Sequence, residues 1–499
     1  MNYSALFQQL LPEVILVVTA LAVLATALAI EGRGKPAPLS VISSITCLGL
    51  LLAGASLILF PATGEAATPM IALDPLARLF KGVVIALGLL AVLLPPAKDE
   101  IRQPGEFHAL LLFAITGLCL TVGTNHLLFL FVALELASLS LYLLAGFPRT
   151  ARASEASLKY FLFGGVSAAF LLFGLSLIYG FSRAATLPEV ATALAADPTS
   201  PLAIAGLAMV LAGLGFKLAA APFHYWAPDV YQGAPATSVA LVAAASKAVG
   251  LVVLVRFLLV GFHASGGSAA WGGIVSGWSV WLSILAAGSI LFGNLLALAQ
   301  TSVRRLLAYS AVANTGYLLV GLCANGAAAA GAALFYVVVY GLATLGALAV
   351  TAAVEREAGD DSVASFAGLV HRSPLQALAL LVFMASLAGI PPLAGFVGKF
   401  ALFSQALAET TVGTVSGITW LVALAAVMSA VSLYYYLQVL KQAFVTDGET
   451  AATGIGIGHA LAIGVPAVAL VVLGLFPSLL LEPVSTAVFV LSDGRVNPL

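Results

Sequence analysis

Charge is what this 499-residue sequence most conspicuously lacks: 20 Lys and Arg and 21 Asp and Glu amount to 8% of the chain, where a soluble protein carries about a quarter. That deficit excludes a soluble globular fold. Cysteine is scarce too, and Cys47, Cys119 and Cys323 lie far apart inside apolar segments with no CxxC spacing, which argues against zinc, iron–sulfur and disulfide roles and for three core cysteines. A net charge of −1 leaves no basic field for nucleic acid. No Gly-rich phosphate loop follows a strand-like run, and no charged n-region with a cleavage site opens the chain, so neither a bound nucleotide nor a removed leader is expected.

What is present is hydrophobic sequence, 62% of the residues, with a mean hydropathy of +1.11. Residues 257–303, 306–354, 373–398, 410–440 and 450–481 contain no Asp, Glu, Lys or Arg, and one membrane span needs ~20 apolar residues. The spacing predicts an all-α polytopic membrane protein with fourteen spans: 11–30, 39–61, 74–95, 107–124, 126–147, 155–180, 202–222, 235–262, 273–299, 303–323, 328–353, 374–408, 412–441 and 457–480. Between them Arg33, Lys35, Lys98, Arg102, Arg149, Arg152, Arg304, Arg305, Arg356, Arg372 and Lys441 fall on one side, and Arg183 and Arg495 on the other. The cation-rich side is cytoplasmic, which places both termini on the periplasmic or extracellular side. Arg78 and Lys81 go against the count without reversing it.

Two spans are interrupted. Span 7 carries Lys217 before Pro222, and span 12 carries Gly389, Pro391, Pro392, Gly395 and Gly398 before Lys399. Backbone freed by such breaks is tolerated in a bilayer only where it faces protein or water. Five spans separate the two breaks, so they run in opposite directions, the pattern of an inverted repeat of spans 4–8 and 9–13. The expected units are a three-helix segment at 1–105, repeats at 106–265 and 266–445, and a last helix and tail at 446–499.

Four ionisable residues sit at mid-span: Glu135, Lys217, Lys247 and Lys399. Each costs ~2.5–3.5 kcal/mol on insertion scales, so they read as functional. Glu135 can offset Lys217 if spans 5 and 7 adjoin, whereas Lys247 and Lys399 have no carboxylate at matching depth, and burial without a partner loosens a lysine's proton. Opening a Glu135–Lys217 pair would free a positive charge beside Lys247 and push its proton onward. These residues describe a proton path. Around them, Glu155 and Lys159 form either an entrance or a surface i,i+4 pair, and His224 suits proton transfer between Lys217 and Lys247. Tyr231, Ser310, Asn314, Tyr317, Tyr434 and Tyr435 can hold water in a relay. His108, His126, His263, His371 and His459 read as solvated, and Arg256 as a snorkelling cation.

At these residues the sequence resembles the antiporter-like chains of respiratory complex I, the bacterial NADH–quinone oxidoreductase. KLAAAPFHYWAPDVYQGAPATS at 217–238, RRLLAYS at 304–310 and SLAGIPPLAGFVGKF at 386–400 carry the resemblance. The run at 228–235 is similar to the N type; Lys399 argues against the M type, and the absence of a long extension after 480 against the L type. The resemblance implies that Glu135, Lys217, Lys247 and Lys399 are the proton-channel residues and Glu155, Lys159 and His224 accessory ones. It also implies partnership with the other membrane-arm chains and with membrane lipids. Flavin and iron–sulfur clusters would belong to partner subunits, with no redox cofactor or metal in this chain. Asn314 departs from the family, which commonly places histidine there, and an amide does not carry a proton as imidazole does. A free-standing cation/proton antiporter and a scaffold with vestigial charges are the competing classes.

Overall fold

In a bilayer every backbone N–H and C=O has to be satisfied within its own segment, and the long apolar runs of this chain satisfy theirs as helices. The computed structural model describes residues 3–60, 66, 68–94, 101–271, 273–408, 418–448 and 456–492. Thirteen described helices are long and apolar enough to cross a membrane. They are α1 (Leu11–Glu31), α2 (Leu39–Leu59), α3 (Pro75–Val92), α4 (Pro104–Val122), α5 (Leu127–Ala145), α6 (Ala151–Ser182), α7 (Pro201–Leu218), α8 (Ala236–Gly261), α9 (Trp278–Leu298), α10 (Val303–Cys323), α11 (Ala327–Ala358), α13 (Thr419–Phe444) and α14 (Ile457–Leu475). The remaining span, α12, is the interrupted one, in two halves, Pro374–Ala388 and Ala394–Ala408. The fourteen match the fourteen expected spans in order. Residues 412–417 of span 13, and Lys98 and Arg495 of the cation count, lie outside the described residues.

Helix starts are set by local chemistry. Asp74, Thr150 and Ser302 cap α3, α6 and α10 by accepting a first-turn backbone N–H, and proline, which has no N–H to lose there, opens α3, α4, α7 and α12. The breaks are also local. The α7 helix ends at Ala219 and the first half of α12 at Gly389, both in the left-handed region (φ 55° and 86°), and each is followed three residues later by a proline. Gly389 supplies that conformation without steric cost.

The inverted repeat is visible in a second feature. At the start of α5, Leu127 N bonds Ala185 O and Leu187 N bonds Asn125 O, tying it to the segment just after α6. In the same pattern Val303 N bonds Asp361 O and Val363 N bonds Thr301 O, tying the start of α10 to the segment after α11. The two ties fall on opposite faces of the bundle by span count. Within it α8 is wholly buried and α10 and α11 nearly so; they form the centre on which the polar residues converge. The α8 helix widens into π turns at Val242–Ser246, just before Lys247, and at Phe257–Gly261.

Short helices additional to the sequence reading include Leu187–Ala196, Ala227–Gly233 and Ser478–Ser492. The last corrects the reading of 457–480 as one span with a tail, because α14 stops at Leu475 and Ser478–Ser492 packs separately on α11 and α3, burying Val484, Ala487 and Val488. Its hydrophobic stretch follows Pro477 and is only 15 residues long, too short to announce itself by length.

Candidate functional site

Lys247 is buried at the middle of α8, 2% exposed. Its Nζ donates to Ala311 O at 2.7 Å and Thr315 Oγ1 at 3.0 Å on α10 and stands 4.7 Å from the centroid of the Tyr340 ring of α11. Lys399, in the second half of α12, is 5% exposed and donates to Leu387 O at 2.8 Å, which the α12 break leaves free, and to Ser429 Oγ at 3.0 Å. The Tyr317 ring lies 5.0 Å from its Nζ. Neither lysine has a carboxylate partner among the described residues. Carbonyls, hydroxyls and ring faces hold each charge, a set that tolerates either protonation state. Lys399 also lines a cleft of about 330 Å³ with Gly389, Phe396 and Ser429.

Between α10 and α13 runs a chain of polar side chains. Tyr336 Oη donates to Asn314 Oδ1 at 2.5 Å; Asn314 Nδ2 donates to Ser310 Oγ at 3.3 Å; Ser310 Oγ and Tyr436 Oη share a proton at 2.5 Å. The Tyr436 and Tyr435 rings lie 4.5 Å apart. Tyr435 Oη donates to Asn294 Oδ1 at 3.1 Å, and Asn294 Nδ2 donates to Tyr317 Oη at 3.0 Å. Tyr317 ends the chain beside Lys399. All these residues are buried, so the hydroxyls and amides satisfy one another in an otherwise apolar interior. Ser310, Asn314, Tyr317 and Tyr435 are thus brought together as the sequence suggests. Exposed Tyr434 is outside the chain. Tyr231 is buried against Tyr340.

The expected Glu135–Lys217 ion pair is not formed. Lys217 Nζ donates instead to Ser138 Oγ at 2.7 Å, with Glu135 on the same helix within electrostatic reach. Nor does His224 bridge the lysines. Its ring is buried against Tyr225 and Phe292 (centroids at 4.7 and 6.5 Å), and its Nδ1 has no partner.

Near the starts of α6 and α10, Lys159 pairs with both Glu155 and Asp229 at 2.6 Å, and Arg305 pairs with Asp229 at 2.8 Å. Glu155 and Lys159 are therefore part of a four-residue network, not an isolated surface pair. Burial alone would push the Asp229 carboxyl up, but hydrogen bonds from Lys159 and Arg305 hold it below the usual carboxylate range. Arg304 beside it pairs with Glu355 at 2.5 Å and donates to Ala234 O at 3.0 Å.

The sequence reading missed Asp229, Asn294, Thr315, Tyr336, Tyr340, Ser429, Tyr436 and Ser138. Each is a lone polar residue on an apolar helix or in a loop, where packing is the ordinary explanation; only the Pro-Asp-Val-Tyr run pointed toward Asp229. Arg256 does not snorkel. It is fully buried and bonds Asp74 at 2.8 Å and Asn125 at 2.9 Å, because α3 and the α4–α5 turn cover it. Lys81 is paired with buried Glu13 at 2.6 Å. His108 and His459, read as solvated, are buried; His108 Nδ1 bonds Pro104 O and His459 Nε2 bonds Ala349 O, both at 2.8 Å.

Fold and site define a polytopic membrane protein with lysines buried inside its helix bundle, one of them at a helix break and at the end of a chain of polar side chains, an arrangement of ion-translocating membrane chains. Residues 124–442 match the model of the NADH:quinone oxidoreductase/Mrp antiporter transmembrane family. The chain belongs to that family. It is 45% identical, over 91% of its length and 92% of the relative's, to the NADH-quinone oxidoreductase subunit N 2 of Acidobacterium capsulatum. The F(420)H(2) dehydrogenase subunit N of Methanosarcina mazei is 34% identical over 97% of this chain and 98% of its own. Among solved structures, a chain of respiratory complex I from Thermus thermophilus superposes with a TM-score of 0.78 at 36% identity, covering 94% of this chain and 98% of that one.

Proposed function

We propose that this chain is the N-type proton-translocating membrane-arm subunit of an NADH–quinone oxidoreductase, moving protons while electron transfer from NADH to quinone proceeds in other subunits. The observation that carries the reading is the pair of buried, carboxylate-free lysines, Lys247 and Lys399, with the polar chain from Tyr336 to Tyr317 lying between α10 and α13 and ending at Lys399. Such lysines load and release protons without having to break an ion pair.

In this reading Glu155, Lys159 and Asp229 stand at the cytoplasmic entrance, Lys217 and Glu135 modulate the charge beside Lys247, and Lys399 is the last carrier before the cleft. The hydroxyls of Tyr336, Ser310, Tyr436, Tyr435 and Tyr317 both accept and donate. Asn294 and Asn314 cannot pass a proton themselves; they hold these hydroxyls in line, and at those two positions transfer goes through water. His224 is left as a buried positioning group beside the α7 break. The units are 1–105, 106–265, 266–445 and 446–499. The chain lies in a bacterial inner membrane with both termini periplasmic, supported by the excess of cations in the loops on the opposite side. Flavin and iron–sulfur clusters reside in partner subunits, and the sister antiporter-like chains are its neighbours in the arm.

Purification in mild detergent tests the reading. The complex that comes with this chain is expected to show flavin and iron–sulfur absorbance and, in proteoliposomes, to acidify one compartment when NADH and a quinone are supplied. Recovery with antiporter subunits alone would assign it to a cation/proton antiporter, and acidification by a different electron donor would change the enzyme but not the role of this chain.

A further inference from the structure

Two cavities away from the lysine path share a wall, and together they have the proportions of half a bilayer. One is an apolar groove of about 450 Å³ between α2 and α3. Along α3 it follows Arg78, Gly82, Ile85, Ala86 and Leu89, a rise of about 16 Å at 1.5 Å per residue, close to one leaflet of a ~30 Å hydrocarbon core. The opening is not filled by helix packing. A Cβ placed on Gly82 meets nothing within 4 Å, and one on Gly54 meets only Ile85 Cγ2 at 3.7 Å, whereas at Gly49 or Gly117 it would strike a neighbour within 3 Å.

The other cavity, about 420 Å³, continues from the outer end of the groove and is lined by Gln8, Asp74, Arg78 and Lys81, with Leu57, Arg78 and Leu79 common to both. Of the charges here, Lys81 is neutralised by Glu13 and Asp74 by Arg256. Arg78 is exposed and takes part in no ion pair among the described residues. The junction of an apolar slot with a polar cavity therefore carries one guanidinium with no ion-pair partner among the described residues. Dividing the groove volume by its length gives a mean cross-section of roughly 28 Å², against about 80 Å² for a helix with a 10 Å diameter. The slot admits a hydrocarbon chain and excludes a partner's helix.

We propose that this groove and cavity bind one anionic phospholipid of the outer leaflet, with an acyl chain between α2 and α3 and the phosphate on Arg78. Guanidinium is suited to phosphate because its planar fork donates two parallel hydrogen bonds. The choice of leaflet rests on the proposed topology; the site itself requires only that the chain sit in a bilayer, and it stands independently of the proton path.

The test uses the purified complex, washed free of loosely held lipid, given back phosphatidylglycerol or phosphatidylcholine, and counted for retained lipid by mass spectrometry. Gly82→Trp, whose Cβ meets nothing within 4 Å and whose ring occupies the slot, is expected to retain one phosphatidylglycerol fewer per complex than the wild type. Arg78→Gln is expected to lose several-fold of the preference for phosphatidylglycerol over phosphatidylcholine, and Arg78→Lys to keep part of it. Unchanged lipid counts in Gly82→Trp would overturn the proposal. So would efficient cross-linking of Gly82→Cys to a neighbouring subunit, which would make the groove a protein interface.

Discussion

Lys217 Nζ donates to Ser138 Oγ at 2.7 Å and leaves Glu135, one turn away on the same helix, without an ion pair. On the proposed function this is the open form of a switch whose closed form would be a Glu135–Lys217 pair. Glu135→Gln and Lys217→Met are each expected to slow proton pumping. A double-mutant cycle should give coupling above ~0.5 kcal/mol in pumping, where the pair closes, and below it in assembly, where it is open. Simple additivity in pumping would mean that Glu135 acts alone.

Among the described residues no other lysine reaches the acceptors that hold Lys247 and Lys399. Lys247→Ala and Lys399→Ala are expected to lower NADH-driven acidification by roughly 10²-fold, the lower end of what a positioned proton carrier contributes. Lys→Arg should not restore it, since guanidinium keeps its proton. Wild-type acidification by the alanine variants in an assembled complex would make the lysines structural.

Asn314 accepts from Tyr336 and donates to Ser310, two bonds an imidazole can also make. Asn314→His should assemble and pump at least as fast as wild type, because its ring titrates near pH ~6.5. Asn314→Leu orphans the buried Tyr336 hydroxyl and takes a donor from Ser310, and should lose assembly or pumping. Proton flux read by a trapped dye separates the cases; a stalled Asn314→His would show that the amide itself is needed.

Asp229 gives a pH signature at the Lys159–Arg305 network. Its carboxyl is held below the ordinary value by Lys159 and Arg305, so the stability it supplies is fully present above the unfolded carboxylate value and is lost as pH falls through the lowered one. The difference in melting temperature between wild type and Asp229→Asn should stay constant from pH 7 to about pH 5 and shrink only in stronger acid. A difference that grows on acidification would contradict the arrangement.

Thr150 caps α6, and Ser268 lies in the loop before α9; three spans separate them. Single cysteines at these positions should react with an impermeant thiol reagent from opposite sides of the membrane, Thr150→Cys from the cytoplasm. Labelling of both from one side would overturn the topology.

What could be read in the sequence follows from cost. A lysine in a span or a proline pair in a helix is expensive enough to announce itself, so the breaks at Ala219 and Gly389 and all three path lysines were legible, as was the number of spans. A serine, tyrosine or asparagine costs little on an apolar helix, and whether Asn294 faces lipid or Tyr317 depends on rotation about the helix axis, which an all-round apolar pattern leaves open. Arg256 was misread for a related reason: Asp74 and Asn125, which bind it, come from chain segments more than 130 residues away, and nothing local marks the meeting.

The π turn at Val242–Ser246 has its own consequence for Lys247. A wide turn carries one residue more than an α turn, and one residue is about 100° of rotation. Without it, everything after Ser246 would be turned by that angle relative to Leu241, and Lys247 would point away from Ala311 and Thr315. The aim of Lys247 is therefore set by the width of the turn before it. The same residues wound there as a regular α turn would present a different side chain to α10, with every polar residue retained.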